Sequence, residues 1–346
     1  MLGHRGSVAS DAVRIFSGIQ PTGRKHLGNY LGAIAQYVIG QDRGEAIYCI
    51  VDLHAITVPH DPVDLRARVL DTTAILLAAG VDPGRCVLFR QSDAPEHTEL
   101  TWLLCSVTSH GDLNRMNQFR EKSAVQRELV SAGLFLYPVL QAADVLAYRA
   151  NEVPVGDDQR QHIELMRDIA IRFNARFPDP DGGGEILVVP EHRIPEVGAR
   201  IMDLQRPESK MSTSNASVEG TVYVLDEPAA IEKKFKRAVT DSGSEIRRGP
   251  GKPGIGNLIE VLAAVRGVGP AEIESDYAGA RYGEFKGAVA AAVIDYLAPV
   301  RERYTELRAD EAGLEATLAE GAARARVIAG PTLADVRRAM GVGRPG

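Results

Sequence analysis

Residues 13–29, Val13-Arg14-Ile15-Phe16-Ser17-Gly18-Ile19-Gln20-Pro21-Thr22-Gly23-Arg24-Lys25-His26-Leu27-Gly28-Asn29, read as a β-strand, a glycine-bearing turn and the start of a helix. Val13 to Ser17 carries the apolar side chains of a strand, and from Leu27 to Val38 the apolar residues recur at helical spacing. Such a turn exposes backbone N–H groups and the positive end of the helix dipole, which suits an anion, and Gly28 lets a phosphate or a base approach the backbone closely. The same residues also admit a purely structural use, with Asn29 as helix cap and Gly28 as turn glycine.

The alternation continues outward. Strands are expected at Val13–Ser17, Ala46–Asp52, Cys86–Gln91, Val153–Val155 and Ile186–Val189. Helices are expected at Leu27–Val38, Pro62–Leu77, His97–Ser106, Pro138–Tyr148 and Asp157–Phe173. Short strands alternating with helices predict an α/β doubly wound parallel sheet, whose ligands lie beyond the carboxyl ends of the strands. The residues there are polar: Gln20 and Thr22, Asp52 and His54, Gln91 and Asp93, Gly156 and Asp157. After about Ala216 only Thr221–Leu225 reads as strand, and the remainder has the Ala, Glu and Arg content and spacing of a smaller all-helical domain.

The chain has 346 residues, 45% hydrophobic and 25% charged, enough for one large domain or two smaller ones. Its three cysteines, Cys49, Cys86 and Cys105, have no spacing that suits zinc, a redox dithiol or a disulfide framework, so no protein metal site is expected and a reducing cytoplasm fits. No apolar run approaches the roughly 18 residues of a membrane span. Residues 1–13 form a loose polar tail without a signal-peptide core. The net charge of −6 argues against non-specific coating of nucleic acid, although seven Lys or Arg against three acids between Glu232 and Lys252 make a local basic patch.

Downstream by 184 residues from His26 stands Lys210-Met211-Ser212-Thr213-Ser214. Read with His26-Leu27-Gly28-Asn29, it resembles the paired HIGH and KMSKS motifs of class I aminoacyl-tRNA synthetases. Transfer at an α-phosphate is catalysed mainly by positioning and by cations that offset developing charge, and Lys210 is the candidate cation. Further segments are Gly18–Gly23, Asp52–Thr57, Phe119–Ala124, Tyr137–Asp144, Val155–Gln159, Gly198–Met202 and Ala238–Ser242. Together they are similar to bacterial-type tryptophanyl-tRNA synthetases over nearly the whole chain.

The resemblance implies a Rossmann-like catalytic domain over residues 14–215 and a helical anticodon-binding domain over residues 216–346, whose last helix could pack back on the first. It implies ATP as substrate with Mg2+, L-tryptophan and tRNA(Trp) as partners, and a homodimer. By similarity Lys210, Lys122, Gln20 and His26 would be catalytic. Gln20, Pro21, Thr22, Gly28, Asn29, Gly156, Asp157, Asp158, Ile201, Met202, Lys210, Met211, Ser212, Thr213 and Ser214 would meet ATP. Asp144, Tyr137, Gln141, His54, Gln159 and Gly18 would hold tryptophan, with Asp144 accepting the indole N–H. Independently of any likeness, Tyr137, Gln141, Asp144 and Tyr148 fall on one helical stripe among apolar neighbours. Lys233 to Arg237 is the candidate patch for the tRNA backbone.

Two departures matter. Thr213 replaces the second lysine of the loop motif, which removes a cation and keeps a catalytically weak tRNA-binding paralogue in view. Gln141 and Asp144 form the Gln-x-x-Asp arrangement familiar from tyrosyl-tRNA synthetases, so tyrosine is the alternative substrate. A small-molecule nucleotidyltransferase with the HxGN motif would leave the helical C-terminal region without a use.

Overall fold

Five strands, β1 (Arg14–Ile19), β2 (Glu45–Ile50), β3 (Cys86–Arg90), β4 (Glu152–Pro154) and β5 (Glu191–Arg193), pair in parallel in the order β3-β2-β1-β4-β5. The computed structural model describes residues 13–117, 130–156, 159–180, 182–193, 201–212 and 217–344. After β3 the chain crosses to the other side of β1, so the strand order reverses between β1 and β4. In an open parallel sheet that reversal leaves a crevice at the carboxyl ends of the two strands, because their connections leave in opposite directions.

Helices cover both faces. The first expected helix is three pieces: α1 (Leu27–Asn29), a π-helical turn (Tyr30–Ile34) and α2 (Ala35–Gly40). Then come α3 (Asp52–Ala55), α4 (Pro62–Ala79), α5 (Glu96–Cys105), α6 (His110–Asn114), α7 (Ala132–Leu146) and α8 (Arg160–Arg176). Asp61 caps α4 by accepting the N–H groups of Val63 and Asp64, and Gly80 ends it in the left-handed conformation with φ 109°. The final run holds α9 (Pro228–Lys236), α10 (Pro253–Arg266), α11 (Pro270–Asp276), α12 (Tyr282–Ala309) and α13 (Glu311–Met340).

Three further elements differ from the sequence reading. The helix expected to start at Pro138 starts at Ala132, where the Ser131 hydroxyl accepts the Leu134 N–H at 3.1 Å, and Pro138 lies inside it. Proline inside a helix costs one backbone bond, and the burial of nine side chains of α7 outweighs it. The strand expected at Ile186–Val189 is absent: the side chain of Asn174 binds both backbone groups of Leu187, and the fifth strand forms at Glu191–Arg193. All three of its residues are exposed, so no apolar signal marks it. Thr221–Leu225 forms not a sheet strand but an antiparallel bridge, Tyr223 opposite His26, closed by Leu27 N–H to Val222 O and Val224 N–H to Lys25 O.

One continuous apolar cluster joins Leu31, Ile34, Tyr48 and Leu76 of the sheet region to Phe235, Leu258, Phe285 and Val293 of the later helices. The long α13 returns across β3. A Cβ on Gly321 would lie 1.8 Å from the Leu88 carbonyl oxygen, so glycine is what allows the helix to lie against the strand.

Candidate active site

A cavity of about 310 Å3 occupies the crevice between β1 and β4. Phe16, Ser17, Gly18 and Gln20 enter it from β1 and its turn, and Val153, Pro154, Val155, Gly156 and Gln159 from β4 and the start of α8. The π-helical turn and α2 add Gly32, Ala33, Gln36 and Tyr37; α7 adds Tyr137, Gln141, Asp144 and Val145; α3 adds His54. A π turn carries one more residue than an α turn, which widens the helix where it borders the cavity.

Asp144 lies at the floor, 2% exposed. Its Oδ2 accepts from His54 Nε2 at 2.8 Å; its Oδ1 accepts from Gln91 Nε2 at 2.6 Å and from His97 Nδ1 at 2.7 Å. Burial opposes ionisation, but the positive ends of His54 and His97 and their hydrogen bonds win, bringing the carboxyl down to about 2. The carboxylate is therefore ionised at neutral pH. Tyr137 stands beside it, its hydroxyl 2.8 Å from His162 Nε2 and its ring edge-on to His54.

The second half of the site lies where two distant segments meet. His26 and Asn29 cap α1 reciprocally: His26 Nδ1 accepts the Asn29 N–H and Asn29 Oδ1 accepts the His26 N–H, each at 3.2 Å. Burial, and then the charges of Lys210 and Lys25, hold the His26 imidazole down at about 4. It is neutral at pH 7, and since Nδ1 is an acceptor the proton resides on Nε2, which is left as a donor. Lys210 bridges to Met202, and the Met211 N–H binds the Ile201 carbonyl at 2.9 Å. A Cβ on Gly28 would lie 3.6 Å from Ile201 Cβ, so the α1 turn and the Ile201–Ser212 hairpin are neighbours. Asn257 of α10 binds both the N–H and the carbonyl of Met202 at 2.9 Å, tying the hairpin to the later helices.

Of the residues named from sequence, Gly18, Gln20, His54, Tyr137, Gln141, Asp144, Gly156 and Gln159 come together around one cavity. His26, Gly28, Asn29, Ile201, Met202 and Lys210 gather at the adjoining hairpin. Ile201 and Met211 turn their side chains into the apolar core, 2% and 1% exposed. Pro21 is buried and Thr22 exposed; Ser212 is half-buried beside Met211. Lys122, Asp157, Asp158, Thr213 and Ser214 lie outside the described residues.

The expected basic patch is largely paired within the chain. Lys234 reaches inward to Asp226 and the Thr221 carbonyl, Lys236 pairs with Glu232, and Arg237 with Glu219. Lys252 meets Asp241, and Arg248 meets Glu260 and Glu274. The patch is thus less cationic than its sequence suggests.

Sequence reading missed His97, Gln36, Tyr37, Lys25 and Asn257. His97 sits in the first turn of α5 among acids, and nothing local marks it. Gln91 carried one signal, its place directly after β3, but no role.

The family model for tRNA synthetases class I (W and Y) matches residues 9–298. A tryptophan–tRNA ligase 2 of Streptomyces avermitilis is 50% identical over 337 residues, 96% of this chain and 98% of that protein. A tryptophanyl-tRNA synthetase structure from Mycoplasma pneumoniae superimposes with a TM-score of 0.88 at 32% identity, covering 96% of this chain and 98% of that one. A tryptophanyl-tRNA synthetase from Campylobacter jejuni, solved with ADP and tryptophan, gives 0.79 at 33% identity, covering 95% and 100%.

Proposed function

This chain belongs to the class I tRNA synthetases (W and Y), and we propose that its cavity and its two converging loops serve one reaction in two steps. Tryptophan and ATP give tryptophanyl-adenylate and pyrophosphate, and the tryptophanyl group then passes to tRNA(Trp). Tryptophan–tRNA ligation is the named activity of relatives about half identical along nearly the whole chain. The observation that carries the residue roles is the meeting of the His26–Asn29 turn with the Lys210 hairpin beside a cavity floored by a buried carboxylate.

In this reading Asp144 accepts the indole N–H through Oδ2, which has one protein donor where Oδ1 has two. A site built around such an acceptor rejects a ring that cannot donate, because its charge would stay buried and unmatched. His54, Tyr137 and Gln141 wall the ring, Gln159 meets the ammonium group, and Gly18 leaves room for the substrate backbone. Gln20 stabilises the transferring carboxylate.

The His26 Nε2–H donates to a phosphate oxygen, and Gly28, Asn29 and the Gln20–Thr22 turn line the nucleotide. Gly156, Asp157 and Asp158 serve the ribose side. The backbone of Ile201, Met202 and Met211 borders the adenine. Lys210, aided by Lys122, offsets charge on the departing pyrophosphate, and Ser212, Thr213 and Ser214 complete the loop. Among the described residues no group of three His, Cys, Asp or Glu could hold a metal ion. A Mg2+ ion accompanying ATP would be held by the triphosphate oxygens, where it reduces the phosphate charge.

We assign residues 14–215 to catalysis and 216–346 to the tRNA anticodon, in a cytoplasmic homodimer. Trp102 of α5, 76% exposed, is the kind of large apolar surface residue that a second subunit covers. Among the described residues no helix is long and apolar enough to cross a membrane. ATP–pyrophosphate exchange measured with each amino acid in turn tests the reading: tryptophan supports exchange and tyrosine does not. Exchange with tyrosine alone, or with no amino acid, overturns it.

A further inference from the structure

Behind the cavity floor, away from the space a substrate would fill, lies a chain of three buried side chains. His97 and Tyr148 are both 0% exposed, and neither borders the cavity. His97 Nδ1 lies 2.7 Å from Asp144 Oδ1, and His97 Nε2 lies 2.7 Å from the Tyr148 hydroxyl. The Tyr148 ring is itself held, stacked on Phe16 of β1 with centroids 5.4 Å apart.

An ionised carboxylate has no proton to give, so His97 Nδ1–H must donate to Asp144. The second ring nitrogen, Nε2, and the Tyr148 hydroxyl share a hydrogen bond at 2.7 Å that holds the ring plane. Tyr148, His97 and Asp144 form a chain, and His97 with Gln91 fills Oδ1 from behind. Oδ2 takes a single donor among the described residues, His54, which itself lines the cavity.

We propose that His97, oriented by Tyr148, is a positioning residue for amino-acid selection: it saturates Oδ1 and so presents Oδ2 of Asp144 to a single N–H of the bound ring. This rests on the reading of Asp144 as the indole acceptor. Without His97 the carboxylate would be free to rotate its oxygens between His54 and Gln91, and its selectivity for a ring N–H would fall.

The test compares ATP–pyrophosphate exchange for tryptophan with that for β-(3-benzothienyl)alanine, in which sulfur replaces the ring N–H. In the dimeric full-length protein, His97→Leu is expected to lower the ratio of kcat/KM values about tenfold or more, through the tryptophan KM, with ATP KM nearly unchanged. His97→Asn places an amide N–H near the position of Nδ1 and recovers most of the ratio. The tryptophan KM of His97→Leu also gains an acid limb that the parent lacks, because the carboxylate loses a donor. Asp144 is met by His54, Gln91 and His97; Cys49 and Tyr148 also feel its charge, Asp52 and Asp93 act on Cys49, Glu96 acts on Tyr148, and only His97 is altered.

Tyr148→Phe removes a single hydroxyl and is expected to lower the ratio about threefold; it decides the matter if His97→Leu does not fold. An unchanged ratio in whichever of these variants folds overturns the proposal. Asp144→Asn separates the two levels. If it keeps the ratio, the indole assignment fails; if it loses the ratio while the His97 and Tyr148 variants keep it, only the relay fails.

Discussion

The two halves of the site bury opposite charges and treat them differently. Asp144, in the amino-acid half, is met by three side-chain donors that make its ionised form the stable one. Lys25, in the turn after β1, is 7% exposed, and among the described residues its ammonium meets the Gln20 carbonyl at 2.5 Å and the Thr22 carbonyl at 3.4 Å. Among the described residues no carboxylate pairs with it; burial and then Arg68 bring its pKa down to about 8. Side-chain donors from α3, from α5 and from the residue after β3 hold the carboxylate in place. The turn that carries Lys25 holds a buried cation bonded to two backbone carbonyls and to no carboxylate among the described residues, an arrangement that disfavours the charged form.

The largest change expected is in Asp144→Asn. The three donors would face an amide in place of a charge, and tryptophan kcat/KM falls about 1,000-fold, in keeping with the roughly 3–5 kcal/mol of a broken buried ionic network. ATP KM, measured in the same exchange assay, moves little; a loss shared equally by both substrates would mean the two halves are not separable. Next comes Lys210→Ala, with kcat for adenylate formation down about 100-fold and ATP KM within about threefold, since its charge acts on the transition state. Single-turnover kinetics of adenylate formation read this directly.

Stability against pH sharpens the contrast. Lys25 keeps its proton up to about 10.5 when unfolded but only to about 8 when folded. Below pH 8 both states are charged and the full cost of burial is present. Between 8 and 10.5 the unfolded chain binds more protons, so stability rises with pH, by at most about 3 kcal/mol. Lys25→Met is expected to raise the urea midpoint at pH 7 and to lose that advantage near pH 10.5; a variant less stable at pH 7 would show that the carbonyl bonds outweigh the buried charge. Asp144 and His26 act on the acid side. Folded pKa values of about 2 and about 4 lie below the ordinary 3.8 and 6.5. The unfolded chain takes up protons first, and stability falls as pH drops from about 6.5 to 4 through His26 and from about 3.8 to 2 through Asp144.

The smallest effect is expected from Gly28→Ala, whose Cβ would meet His26 Nδ1 and Cε1 at 3.1 Å. That contact moves the imidazole by a few tenths of an ångström, enough to raise ATP KM about threefold and leave tryptophan KM alone.

Some elements declare themselves locally. Short β-rich runs announced β1, β2 and β3, and helical spacing from Pro62 announced α4, because residue type and periodicity mark the faces each element buries. The fifth strand did not, since its three residues are exposed and its pairing comes from β4 alone. The polar stripe of Asp144 showed because it interrupts an apolar helix, whereas His26, Gly28 and Lys210 stood out together through their resemblance to the paired motifs of class I synthetases.

What the amino-acid sequence determined by itself was the parallel α/β sheet, the two loop motifs and the polar stripe of α7: periodicity and residue type are local properties. Only the tertiary structure decided that His97 and Tyr148 stand behind Asp144, that Asn257 ties the Met202 hairpin to α10, and that the basic residues after Glu232 are mostly neutralised. The first two depend on partners about fifty residues away, and Lys234, Lys236, Arg237, Arg248 and Lys252 on acids from 4 to 26 residues away, so which charge meets which partner is set mostly by packing and not by local pattern.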